Sequence, residues 1–143
     1  MAEVVWNQFA RQEWRNKLIY GLNEFGEKSA IHFVRRTNTI IETIRKHPEI
    51  GYPEPLLKHR RKTYRAYHIV GPLKLIYYYV KSLGTIRIVD VWDMRREPKK
   101  LQNRIRTATP HFYVAIQIIG KYLLFINCYI SNSYTISREY DDF

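Results

Sequence analysis

The chain has 143 residues, 45% of them hydrophobic and 26% charged, which predicts one globular domain with its own core and excludes wholesale disorder. A single cysteine, Cys128, excludes an internal disulfide, so the fold does not depend on an oxidising compartment. The net charge of +11 is concentrated: residues 58–106 hold 14 Lys and Arg against 3 Asp and Glu, whereas residues 1–57 hold 8 against 7 and residues 107–143 hold 2 against 3. A field focused in one block attracts a polyanion, either nucleic acid or an acidic protein segment. The competing reading is a solvated surface that serves only solubility. The opening "MAEVVWNQFA" lacks a basic segment followed by an apolar one, so no secretory signal is expected and the cytoplasm is the expected location.

Val4–Trp6 reads as a short edge strand. Asn7 is placed to cap a helix whose apolar face carries Phe9, Trp14, Leu18, Leu22 and Phe25, and Gly26 ends it. A second helix starts near Ser29. Its Ala30, Phe33, Val34, Thr37, Ile40, Ile41 and Ile44 recur at helical spacing, with Arg35, Arg36, Glu42 and Arg45 opposite. Pro48 stops it, because proline lacks the amide proton and restricts the residue before it. "GYPEPLLKHRRK" (51–62) reads as an irregular loop. "TYRAYHIV" (63–70), "LKLIYYYV" (73–80) and "TIRIVDVW" (85–92) are aromatic and β-branched runs joined by short turns, and they predict an antiparallel meander. A short helix from about Pro98 to Arg106 follows.

The fold class is therefore α+β, with an N-terminal helical hairpin packed on a small antiparallel sheet and a C-terminal extension of uncertain structure. In that extension "HFYVAIQIIGKYLLFINCYI" (111–130) is long enough to span a membrane. Its Gln117, Lys121 and Asn127 count against a span, and no membrane contact is expected. An anchor, an extra packed element and a poorly ordered tail all remain open readings.

Taken in order, "VVWNQFARQEW", "HPEIGYPEPL", "GPLKLIYYYV" and "IRIVDVWDMRREPKKL" resemble the RelE/ParE superfamily, the toxins of bacterial toxin–antitoxin modules that include the plasmid stabilisation family. The resemblance covers residues 4–106, implying a toxin domain over 1–106 and a tail of unknown role over 107–143. It implies one of two activities: ribosome-dependent, metal-independent cleavage of mRNA in the ribosomal A site, or inhibition of DNA gyrase without chemistry. An inactive, antitoxin-binding remnant is a third reading. A cognate antitoxin is the implied partner, and an acidic antitoxin segment is expected to cover the 58–106 surface. No cofactor is implied.

RNA cleavage without a metal activates the ribose 2′-hydroxyl, protonates the leaving oxygen and stabilises the charge of the phosphorane. The resemblance assigns that work to Arg65, Lys74 and Arg95, with Tyr67 at a position where RelE has a second lysine. Strand alternation gives Arg65 and Tyr67 one face, and Lys74, Ile76 and Tyr78 another that the hairpin turn is expected to bring alongside. A one-residue slip would separate the two sets. Arg65 is a poor base because a guanidinium stays protonated. Lys58, His59 and Lys62 in the loop, or His68 on the strand, are the candidate neutral bases, although His68 is expected to face the helices as a core histidine. Lys58, His59, Arg60, Arg61 and Lys62 form the basic loop expected to bind RNA or phosphate. Arg87 and Arg96 are also assigned to phosphate, and Tyr67 and Tyr78 to RNA contact, Tyr78 as a stacking platform. Asp93 either orients a guanidinium or simply pairs with Arg95 or Arg96 at the surface. His32, His47, His59, His68 and His111 are too dispersed for a metal site, and no Gly-rich phosphate loop or nucleophilic serine motif is present.

Overall fold

The computed structural model describes residues 1–107. The expectations placed on residues 111–130, and on the tail as a separate segment, lie outside the described residues. The elements in chain order are β1 (Glu3–Trp6), α1 (Gln8–Phe25), α2 (Glu27–Lys46), β2 (Tyr52–Pro53), β3 (Tyr64–Val70), β4 (Leu73–Val80), β5 (Thr85–Asp93) and α3 (Pro98–Thr107). Single 3-10 turns at Pro55–Leu57 and Lys81–Leu83 complete the set.

Local chemistry sets the helix ends. The Asn7 side chain accepts a hydrogen bond from the Ala10 amide at 2.6 Å, closing the open start of α1. Gly26, at φ 84°, ends α1 and begins α2 in one residue; that backbone conformation favours glycine. Glu27 lies in the first turn of α2, and Arg45 and Lys46 in the last, each complementing the helix dipole. The helix stops at Lys46, just ahead of Pro48.

The sheet has the order β1-β5-β4-β3-β2. The three-stranded antiparallel meander is present as read, but the sheet as a whole is mixed, because β1 joins β5 in parallel. The loop 51–62 is more ordered than its composition suggests, since β2 pairs with β3 and a 3-10 turn follows.

Each sheet face carries its own core. On the helical-hairpin face, Ile69, Leu75, Tyr77, Ile86, Ile88 and Val91 pack with Ala10, Phe33, Ile40 and Ile44. Trp14 stacks on Phe33 at 5.7 Å and donates its indole N–H to Thr37. On the opposite face, Ala66, Ile76, Val89 and Trp92 pack with Leu57 and with Leu101 of α3. A β-bulge makes this second core possible. Ile76 pairs with Asp90 while Tyr77 pairs with Ile88, so β5 carries one extra residue there. Without it, Trp92 would share the helix face with Ile86 and Ile88. With it, Trp92 and Asp90 turn toward α3, and Asp93 turns toward α1. No helix among the described residues is long and apolar enough to cross a membrane.

Candidate nucleic-acid interface

The sheet face turned away from the helical hairpin carries part of the set expected to meet RNA. At one end β3 and β4 set Tyr64 directly opposite Tyr78, and the rings meet edge to face at 5.5 Å. Lys62 lies 4.3 Å from the centre of the Tyr78 ring and donates to its hydroxyl at 3.0 Å. Arg87 is the β5 partner of Tyr78 and is half-buried. Lys58, His59 and Arg61 are exposed on the loop. Arg60 is more confined, donating to the Gln102 carbonyl of α3 at 2.7 Å. Burial pushes the Tyr64 hydroxyl above its ordinary pKa, so it remains a protonated donor at neutral pH.

Further along the same face Lys74 lies between Trp92 on β5 and His68 on β3. Its ammonium reaches the carboxylate of Glu54 at 2.6 Å, and the two residues are only 6% and 2% exposed. The other Glu54 oxygen accepts from the Leu56 amide, capping the turn at Pro55–Leu57. Gly51, three residues ahead of Glu54, is held from the hairpin side of the sheet. Arg65 donates to the Gly51 carbonyl at 2.9 Å, and the Gly51 amide donates to the Tyr77 hydroxyl at 3.0 Å. A side chain at Gly51 would have its Cβ 2.6 Å from that hydroxyl and 2.8 Å from the Ala66 carbonyl, so only glycine fits this close approach.

The strand register corrects two expectations. Arg65 pairs with Tyr77, Tyr67 with Leu75, and His68 with Lys74. Arg65 and Tyr67 therefore lie on the hairpin side, not beside Lys74 and Tyr78. His68 lies on the Lys74 face, exposed, with its ring nitrogen 2.7 Å from the Gly71 carbonyl; it is not a core histidine. The cause is apolar demand: Ile69, Leu75 and Tyr77 must reach the helices, and Arg65 and Tyr67 share the alternation of Ile69.

Beyond β5 the basic run is met by carboxylates. Arg95 forms a two-pronged contact with Asp93, at 3.0 and 2.7 Å, while its side chain stays 70% exposed. The hydrogen bonds from Arg95 hold the Asp93 carboxyl at about 2, and Lys17 of α1 approaches to 3.9 Å. Arg96 and Arg104 both reach the same Glu13 oxygen, at 3.3 and 3.1 Å, and Arg104 also meets Asp90 at 3.3 Å. Burial pushes the Asp90 carboxyl up to about 6, against the pull of Arg104.

Of the expected catalytic set, Lys74 and Arg95 lie toward the same end of β4 and β5, whereas Arg65 is on the other face and toward the other end. Sequence reasoning missed Glu54, Glu13 and Asp90. For Glu54 a signal existed: an acidic residue between two prolines is well suited to cap a turn. Among the described residues no group of three or more His, Cys, Asp or Glu side chains is placed to hold a metal ion. The face offers a pair of tyrosine rings, exposed and half-buried cations, and a sheltered carboxylate–ammonium pair.

Three solved structures resemble the chain. A metal-bound toxin from Helicobacter pylori is 16% identical, with a TM-score of 0.49 over 66% of this chain and 97% of that one. A YoeB/ParE toxin from Agrobacterium tumefaciens is 18% identical, with a TM-score of 0.46 over 62% and 94%. A chain from the chromosomal ParDE TA system of P. aeruginosa is 17% identical, with a TM-score of 0.47 over 64% and 94%. No protein-family model and no curated protein matches the chain.

Proposed function

We propose that this chain is the toxin of a toxin–antitoxin pair and that it cleaves mRNA on the ribosome. The observation that carries the reading is the composition of one sheet face: the Tyr64–Tyr78 platform with Lys62 at one end, and the Lys74–Glu54 pair toward the other. A base stacks on the tyrosines, and cations of the 58–62 loop and Arg87 hold the strand. Glu54 accepts the 2′-hydroxyl proton as the 2′-oxygen bonds to phosphorus. The P–O5′ bond breaks, water protonates the departing 5′-oxygen, and Lys74 steadies the charge that develops on phosphate. Arg95 pairs with Asp93 on the α1 side of β5 and does not join Lys74 on this face. Arg65 acts as a positioning residue through Gly51. An acidic antitoxin segment covers this basic surface, so its binding weakens with salt.

The closed Lys74–Glu54 pair also favours a second reading. Two reactive groups that shield each other from solvent suit a protein that binds and does no chemistry, as a gyrase inhibitor does.

Primer extension on a reporter mRNA translated in vitro separates the two. Codon-phased new 5′ ends that appear only with ribosomes, and vanish in the Lys74→Met/Glu54→Gln double variant, are the expected result. Intact mRNA with normal translation overturns ribonuclease action, and DNA breakage with purified gyrase then establishes the second reading.

A further inference from the structure

Helix α1 carries a second stripe, turned away from the core. Its inner side sends Ala10, Trp14 and Leu18 into the hairpin-face core. On the outer side Phe9, Gln12, Asn16, Ile19 and Asn23 follow one another at steps of three and four residues, and all five are exposed. That alternation averages about 3.5 residues and draws one straight seam along a helix, the pattern by which two helices pack on each other. Phe9 and Ile19 are 44% and 50% exposed, so the seam holds apolar surface that the described residues leave in part uncovered.

The seam is neutral. A solvent-facing helix stripe ordinarily holds Lys, Glu or Arg, and α1 does contain Arg11, Glu13, Arg15, Lys17 and Glu24, yet none of them lies in it. In a chain of net charge +11, an uncharged stripe offers nothing to a polyanion and nothing that repels a second copy. Its polar members are amides. Each is both donor and acceptor, so it can satisfy an identical group where a charge would meet its like. Gln12 already donates to the Asn16 side-chain oxygen at 2.9 Å, and the Arg104 guanidinium lies 4.3 Å from the Phe9 ring centre. The polar middle and one apolar end are thus held before any contact forms.

We propose that this stripe is a homodimer seam, in which α1 packs antiparallel on α1 of a second copy about a two-fold axis. One register of such a pair places Phe9 on the second copy's Ile19, and by symmetry Ile19 on its Phe9. Gln12 then faces the second copy's Asn16, and the two hydrogen-bonded pairs close into a ring of four amides at the centre. Opposed helix dipoles favour this direction over the parallel one. Buried amides fix the register and limit the assembly to two helices, at some cost in affinity. Helix α1 packs on the sheet face opposite to Tyr64, Tyr78 and Ile76, so the dimer leaves the tyrosine face open on both copies. The pairing does not depend on the mRNA-directed reading above.

The test is sedimentation velocity of the full chain from about 1 µM to about 1 mM, a range in which small interfaces associate. A rise from monomer to dimer is expected. Ile19→Arg, at an exposed position, is expected to weaken the dimer by about tenfold or more with an unchanged thermal melt, and Ile19→Leu to keep it. Disulfide formation in a Cys128→Ser background reads the register. Chains carrying Gln12→Cys mixed with chains carrying Asn16→Cys should cross-link faster than either variant alone. A full chain that stays monomeric throughout overturns the proposal, as does a dimer that Ile19→Arg leaves unchanged. Cross-linking of each single variant as fast as the mixture overturns the antiparallel register. An internal disulfide between Asn16→Cys and the native Cys128, in a monomeric chain, assigns the stripe to the chain's own tail and overturns the pairing.

Discussion

Lys74 and Glu54 meet at 2.6 Å with side chains 8% and 0% exposed. Taking both charges out of water offsets most of what their attraction gains, so the pair adds little net stability while intact. Removing one partner is different, because the other charge stays buried alone. Sequence alone presents Lys74 as a removable surface cation on a catalytic face. The structure makes it half of a sheltered pair.

Lys74→Ala is therefore expected to lower the unfolding free energy by about 3–5 kcal/mol, measured by urea denaturation. Lys74→Met combined with Glu54→Gln recovers most of that loss, because no unpaired charge remains. The proposed cleavage is best tested in the double variant, where its loss is not loss of fold. An unchanged urea midpoint for Lys74→Ala would show that water reaches the pair freely.

Gly51 gives a second expectation. A methyl group there runs into the Tyr77 hydroxyl and the Ala66 carbonyl, so Gly51→Ala is expected to cost about 2 kcal/mol, in the range of overpacked sites. Adding Tyr77→Phe relieves one contact and leaves the backbone one, so recovery is partial. Full recovery would mean that the Ala66 carbonyl yields easily. Loop 51–57 carries Glu54, and the mRNA cleavage proposed above should fall together with stability.

The two perturbed aspartates predict opposite pH limbs. Asp93 titrates at about 2 in the fold against an ordinary 3.8, so its stabilisation is complete above about pH 4 and is lost as pH falls toward 2. Asp90 titrates at about 6 against 3.8, so the fold prefers its neutral form, and stability is lost as pH rises from about 4 through 6. The stability difference between wild type and Asp90→Asn should change across pH 4–6, and that between wild type and Asp93→Asn below pH 4. Urea midpoints across pH 2–8 provide both curves. A difference that stays constant over its own window refutes that assignment.

Features set by neighbours in the chain were legible in the sequence. The Asn7 cap, the Gly26 junction, the stop before Pro48 and the three meander strands depend on a few adjacent side chains and on hydrophobic period. Features set by one-residue offsets were not. The bulge at Ile76/Tyr77 decides which way Trp92 and Asp93 point, and no single residue type announces it. The same holds for Arg65: its alternation with Ile69 ties it to the helix side, but the apolar demand shows only once the helices are in place. Glu54 was passed over because its partner, Lys74, lies 20 positions away, across a turn and a strand pairing that the loop's composition conceals.

The parallel pairing of β1 with β5 orders events during synthesis. The hairpin of α1 and α2 can form early, since its contacts are local, but the sheet face it covers is made of strands that emerge later. The first strand waits longest: the Asn7 side chain bonds to the Val89 carbonyl across 82 positions, and nothing nearer in the chain substitutes for it. A nascent chain stopped before β5 holds two helices with bare apolar flanks and no sheet edge for its first strand, a form inclined to aggregate or to engage a chaperone. A complete sheet is thus withheld until translation has passed the last strand, and no half-assembled version of it precedes the finished one.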